Sequence, residues 1–82
     1  MHNRIGVWRA ETGLSRKDLA EAAGVHVQTI GFIERGDHNP SLEVAMLIAE
    51  RLGVPLEAVF SIKPFSSLAT IVSRSNEKAL SK

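Results

Sequence analysis

Between His26 and Arg35 the chain sets Gln28, Gly31, Phe32 and Arg35 around two isoleucines, Ile30 and Ile33. Taking Ile30 and Ile33 as the buried stripe of a helix that turns ~100° per residue, the other four fall on the opposite side. Val27 and Thr29 then flank them. A helix face that only meets water usually carries lysine and glutamate. This one carries an amide, a gap, an aromatic ring and a guanidinium. Such a set can recognise the edge of a base pair, because a glutamine amide matches the adenine edge bidentately and Val27 or Phe32 can touch a thymine methyl. Glycine inside a helix costs about 1 kcal/mol against alanine. Gly31 therefore points either to close approach of another molecule or to relief of a helix crossing, and Gln28 can also be simply solvated.

Other chemistries find less support. The three histidines (His2, His26, His38) include no pair at i, i+4 spacing, and cysteine is absent. Converging zinc ligands, thiolate sites and disulfides are therefore not expected. Serine, histidine and aspartate are all present, yet nothing pairs a base with a nucleophile, and no phosphate-cradling loop occurs. Neither an enzyme nor a cofactor or small-molecule ligand is expected. Ten basic and nine acidic residues leave a net charge of +1, so charge alone does not argue for a polyanionic partner. With no signal-like start and no apolar run of ~18 residues, no membrane association is expected and the location is read as cytoplasmic.

Turn and cap residues divide the first sixty positions into five short helices. Asn3 can cap a helix through about Thr12 whose Ile5 and Trp8 face inward and which Gly13 ends. Ser15 opens a second helix, with Asp18 three residues later completing a near capping box. Leu19, Ala20 and Ala23 face inward, and Gly24 stops it. The third runs from near His26 to Arg35, with Gly36 placed for a left-handed terminus. Ser41 caps a fourth helix with Leu42, Ala45, Ile48, Ala49 and Leu52 at helical spacing, closed by Gly53. Pro55 suits the start of a shorter fifth that ends around Phe60. From Ser61 the pattern fades into serines with Ile62, Phe65, Leu68, Ile71 and Val72. Thr70, Ile71 and Val72 lean toward extended structure, and the polar end is expected to fray. The expected division is a helical domain over 1–60 and a C-terminal extension over 61–82.

The tight turn at Gly24-Val25 gives the second and third helices a helix-turn-helix arrangement, in which the latter enters a major groove. The same pair also occurs as a plain packing unit. At this level of detail the chain resembles the Cro/C1-type (XRE) helix-turn-helix family. The resemblance is carried by Gly13-Leu14-Ser15, Asp18-Leu19-Ala20, Gly24-Val25, Gln28-Thr29-Ile30, Ile33-Glu34-Arg35-Gly36 and Asn39-Pro40-Ser41-Leu42. It continues through Ile48-Ala49, Leu52-Gly53-Val54-Pro55-Leu56 and Val59-Phe60, and covers roughly residues 3 to 60 without gaps.

The resemblance implies an all-α, five-helix, lambda-repressor-like DNA-binding domain with a short C-terminal extended or β segment. Its members read operator bases with the third helix, usually as dimers on palindromic double-stranded DNA. Carried over by position, the base-reading candidates are His26, Val27, Gln28, Gly31 and Phe32. Arg16 stands where relatives usually have a DNA-contacting glutamine, and Asn39 lies in a loop laid along a phosphate or serves only as a turn residue. Arg9 and Glu34 occupy positions paired as an ion pair between the first and third helices, while Trp8 takes a core leucine position. His26 and Val27 depart from the usual hydroxyl and polar residues, so the operator cannot be copied from relatives and the third helix lacks a good cap.

On this reading Arg16, Arg35 and the helix-start amides hold phosphates, and the third helix reads bases. Glu43, Glu50 and Glu57 lie away from the DNA face, which lets a nearly neutral chain bind a polyanion. The expected assembly is a homodimer through the fifth helix and residues 60–72, unless Phe65, Leu68 and Ile71 fold back on their own subunit. The expected role is repression of transcription, controlled by protein abundance or by a partner protein. The rival is an antitoxin-like or adaptor module that uses the same fold to bind protein.

Overall fold

A computed structural model describes residues 1–65. It contains five helices: α1 (Ile5–Thr12), α2 (Arg16–Ala23), α3 (Val27–Glu34), α4 (Leu42–Leu52) and α5 (Leu56–Val59). Two short strands, β1 (His2–Asn3) and β2 (Phe60–Ser61), pair antiparallel, with His2 opposite Ser61 and Asn3 opposite Phe60. The expected extended segment after the fifth helix is thus partly realised as β2, and its partner is the chain's own opening residues. Leu68 and Thr70 to Val72 lie outside the described residues.

Local chemistry sets the helix limits. The Ser15 hydroxyl accepts the Asp18 N–H at 3.0 Å while the Asp18 carboxylate accepts the Ser15 N–H at 2.8 Å, a complete capping box for α2. That bond to the Ser15 amide, followed by the hydroxyl contact, holds the Asp18 carboxyl below its ordinary pKa. Ser41 caps α4 by accepting the Val44 N–H at 3.2 Å. At Gly24 the backbone reaches φ +69° and sends its N–H back to Ala20 and Glu21, which ends α2 and turns the chain within three residues into α3.

Asn3 does more than the expected cap. Its Oδ1 accepts the N–H of Ile5 at 3.1 Å, although Asn3 itself lies in β1 and Arg4 is the flanking residue. Its amide nitrogen donates to the carbonyls of Ile33 and Glu34, at 2.9 and 3.2 Å. One side chain therefore starts α1 and bonds the last two carbonyls of α3, of which that of Ile33 also accepts the Gly36 N–H at 3.0 Å.

The core is built from Ile5, Leu19, Ala20, Ala23, Ile30, Ile33, Ala45, Ile48, Ala49, Leu52, Val59 and Phe60. Trp8 packs against it, and its indole N–H donates to the Ala58 carbonyl at 2.8 Å, tying α1 to α5. Leu42 departs from expectation: it is 68% exposed. It occupies the first position of α4, where the side chain leans past the helix start and no other element covers it. Phe65 lies under the Arg4 guanidinium at 4.4 Å, so this member of the expected dimer segment contacts its own chain.

Candidate nucleic-acid interface

Ile30 and Ile33 are fully or almost fully buried, which fixes the roll of α3. His26, Val27 and Gln28 are consequently exposed, and Phe32 is 46% exposed. Gln28 makes no hydrogen bond to any described residue, so its amide keeps both donor and acceptor for another molecule. His26 flanks the start of α3 without a side-chain cap, as expected of an imidazole in that place.

Gln28, Val27, Gly31 and Phe32 from α3 join Arg16 and Arg35 around an open depression of about 390 Å³. Six of the expected site residues thus share one surface. Gly31 forms its floor and is buried under the two guanidinium groups. A β-carbon there would lie 3.5 Å from Nη1 of Arg35 and 3.9 Å from Nη1 of Arg16, both ordinary contact distances. No helix crossing therefore demands glycine at this position, which removes the packing explanation left open above. Gly31→Ala is expected to raise fold stability by roughly 0.5–1 kcal/mol through helix propensity. Thermal unfolding checks this, and a lowered midpoint would show strain around the arginines.

Asn39 lies apart from the depression. It sits exposed in the loop before α4, where Oδ1 accepts the terminal ammonium of Met1 at 3.3 Å.

Arg16 is tied more closely than the sequence suggests. Glu34 receives Nε of Arg9 at 2.6 Å on one oxygen and Nη2 of Arg16 at 3.1 Å on the other. Its side chain is only 11% exposed. Burial alone would raise the Glu34 pKa, but the hydrogen bonds from Arg9 and then Arg16, with their charges, outweigh it and leave the carboxyl below its ordinary value. The same contact raises Arg16 further above an already high value.

A depressed carboxylate pKa gives stability that is complete above the ordinary value of 4.5 and is lost as pH falls through the lower, folded-state value. Glu34→Gln should therefore flatten the fall of the melting temperature with acidification below pH 4.5. Parallel acid titrations of both proteins monitored by circular dichroism test this. Identical slopes would mean that Glu34 does not contribute.

Among the described residues, no helix is long and apolar enough to cross a membrane, and no three or more His, Cys, Asp or Glu side chains gather as metal ligands. Glu43, Glu50 and Glu57 are exposed on α4 and α5 and do not line the depression.

A capped α2, a glycine turn and an α3 rolled by its isoleucines form a helix-turn-helix, and similarity to known proteins makes the chain a helix-turn-helix transcriptional regulator. The helix-turn-helix family profile matches residues 7–59, and the chain belongs to the Cro/C1-type (XRE) helix-turn-helix family. It is 43% identical over 60 residues to an HTH-type transcriptional regulator of Methanocaldococcus jannaschii, covering 73% of this chain and 91% of that protein. To the HTH-type transcriptional regulator YgzD of Bacillus subtilis it is 40% identical, with the same coverage. Among solved structures, the restriction-modification controller protein C.AhdI of Aeromonas hydrophila superimposes with a TM-score of 0.63 at 30% identity. That match spans 68% of this chain and 85% of C.AhdI. A transcriptional regulator from Listeria innocua shares the fold, with a TM-score of 0.59 over 98% of this chain and 79% of its own. These are relatives of non-enzymatic regulators, and this chain is likewise not an enzyme.

Proposed function

We propose that the protein represses transcription in the cytoplasm by binding a palindromic operator as a homodimer, each α3 lying in a major groove. The observation that supports this most is the roll of α3: two buried isoleucines hold an unengaged Gln28 and exposed Val27 and Phe32 outward. His26 and Gly31 complete the base-facing stretch. Arg16 anchors the backbone through a phosphate, and Asn39 adds a contact from its loop.

Dimerisation has a physical rationale. One α3 reads only a few base pairs, and a two-fold pair doubles the site at a half-site spacing of about 34 Å. On the α4–α5 side, an apolar groove of about 310 Å³ is lined by Pro40, Leu42, Ala45, Leu56, Phe60 and Ile62. Ile62 is 85% exposed. This groove lies next to the segment assigned to dimer contact, and a second copy of the chain is its proposed occupant.

Mapping of bound chromosomal DNA, beginning with the gene's own promoter, tests the regulator reading. Sedimentation of the free and DNA-bound protein tests the dimer. Recovery of a protein partner with no enriched DNA would favour the adaptor alternative. For Arg16, alanine should weaken binding to every duplex alike and reduce the slope of log affinity against log salt by about one phosphate's worth. An unaltered slope would remove Arg16 from the backbone contacts.

A further inference from the structure

The surroundings of Arg35 differ from what a loose phosphate contact requires. Its Nε donates to Oδ2 of Asp37 at 3.2 Å. Its guanidinium carbon lies 5.0 Å from the centre of the Phe32 ring, within reach of a cation–π contact. Its Nη1 stands over Gly31, on the floor of the depression that Gln28 also lines. The group is thus held along its inner edge and leaned on a ring, while among the described residues no carboxylate pairs with its terminal nitrogens.

A guanidinium fastened through Nε presents two parallel N–H donors at its outer end. That fork matches the paired acceptors O6 and N7 of guanine in the major groove. A phosphate can accept the same fork, so what favours a base is the place of the guanidinium over Gly31, beside Gln28 and next to the Asp37 carboxylate. The missing side chain at position 31 leaves open the space where a residue in the middle of α3 would otherwise meet the bases. Arg35, one turn further along, reaches back over it.

We propose that Arg35 reads a guanine, and that Asp37 and Phe32 are positioning residues that aim it. The inference rests on the DNA-binding reading above and changes the role of Arg35 within it from backbone contact to base reading. Each half-site should then contain one G·C pair set by Arg35 beside the pair set by Gln28. Asp37 would also repel a backbone phosphate approaching the same edge, which favours a neutral base there.

The test uses full-length protein and a pool of randomised duplexes, with selection by the wild type, Arg35→Ala and Asp37→Ala. Wild-type selection should enrich a site in which one guanine column disappears from the Arg35→Ala pool while the other columns stay. In the wild-type consensus, 7-deazaguanine at that column, which lacks the N7 acceptor, should weaken binding roughly 10-fold. Asp37→Ala should weaken the same column with an unchanged melting temperature and salt slope, a combination that a purely structural role would not give. If Arg35→Ala keeps every column and instead lowers affinity and salt slope uniformly, Arg35 is a phosphate contact and the proposal fails. A wild-type pool with no enriched sequence would overturn the regulator reading itself, and the assignment of Arg35 with it.

Discussion

Ile30→Ala is expected to cost about 2–5 kcal/mol, the usual range for emptying a fully buried isoleucine site. Ile30 has no exposed surface and belongs to the core cluster together with Leu19, Ala20 and Ala23 of α2. Small domains tend toward the low end of the usual 5–15 kcal/mol stability, so this loss would consume much of what holds the fold. The variant should melt far below the wild type and bind DNA poorly for that reason alone. Ile30→Val removes one methylene and should cost about 0.5–1.5 kcal/mol while leaving recognition intact. Denaturant titration of both variants gives the numbers. A cost below about 1 kcal/mol for the alanine variant would mean that α3 is not rolled by this residue.

Gln28→Ala separates recognition from folding. Gln28 is exposed and unengaged, so its loss should leave the melting temperature unchanged. Operator affinity should drop by about 1–3 kcal/mol, with relaxed preference at a single base pair. Competition binding against a panel of single-position operator variants resolves the two parts. An equal loss on unrelated duplexes would show that Gln28 acts through general affinity and not by reading a base.

The helices were legible in the sequence because their ends are written locally. Ser15 with Asp18, Ser41, and the glycines after α1, α2 and α4 act within a few residues of the backbone groups they satisfy. The inward stripe of α3 was legible for the same reason: Ile30 and Ile33 lie one turn apart, and periodicity alone assigns their face. Family membership followed from many such short-range features in one register.

The unread features act across long separations. A two-residue strand has no detectable alternation, and β1 meets β2 only because the whole helical run brings position 3 beside position 60. Arg16 and Glu34 are eighteen residues apart on different helices, so no spacing rule links them. The contact appears only once the turn at Gly24 has set α2 against α3. Leu42 had the right residue type and spacing but the wrong end of the helix, since the core stops short of the first turn of α4. The fastening of Arg35 to Asp37 was near enough in sequence to notice, two residues away, yet both are charged surface types and nothing local distinguishes a directed pair from a solvated one.

The double role of Asn3 has a kinetic corollary. Its amide group is bonded to the last turn of α3, and the neighbouring Arg4 N–H donates to the Val59 carbonyl at 2.7 Å. Whenever the short sheet opens, the carbonyls of Ile33 and Glu34 lose that donor at the same moment. Amide hydrogen exchange at Arg4 and near the end of α3 should therefore proceed in step, as one cooperative opening, with the last turn of α3 loosened whenever the two-stranded ribbon parts.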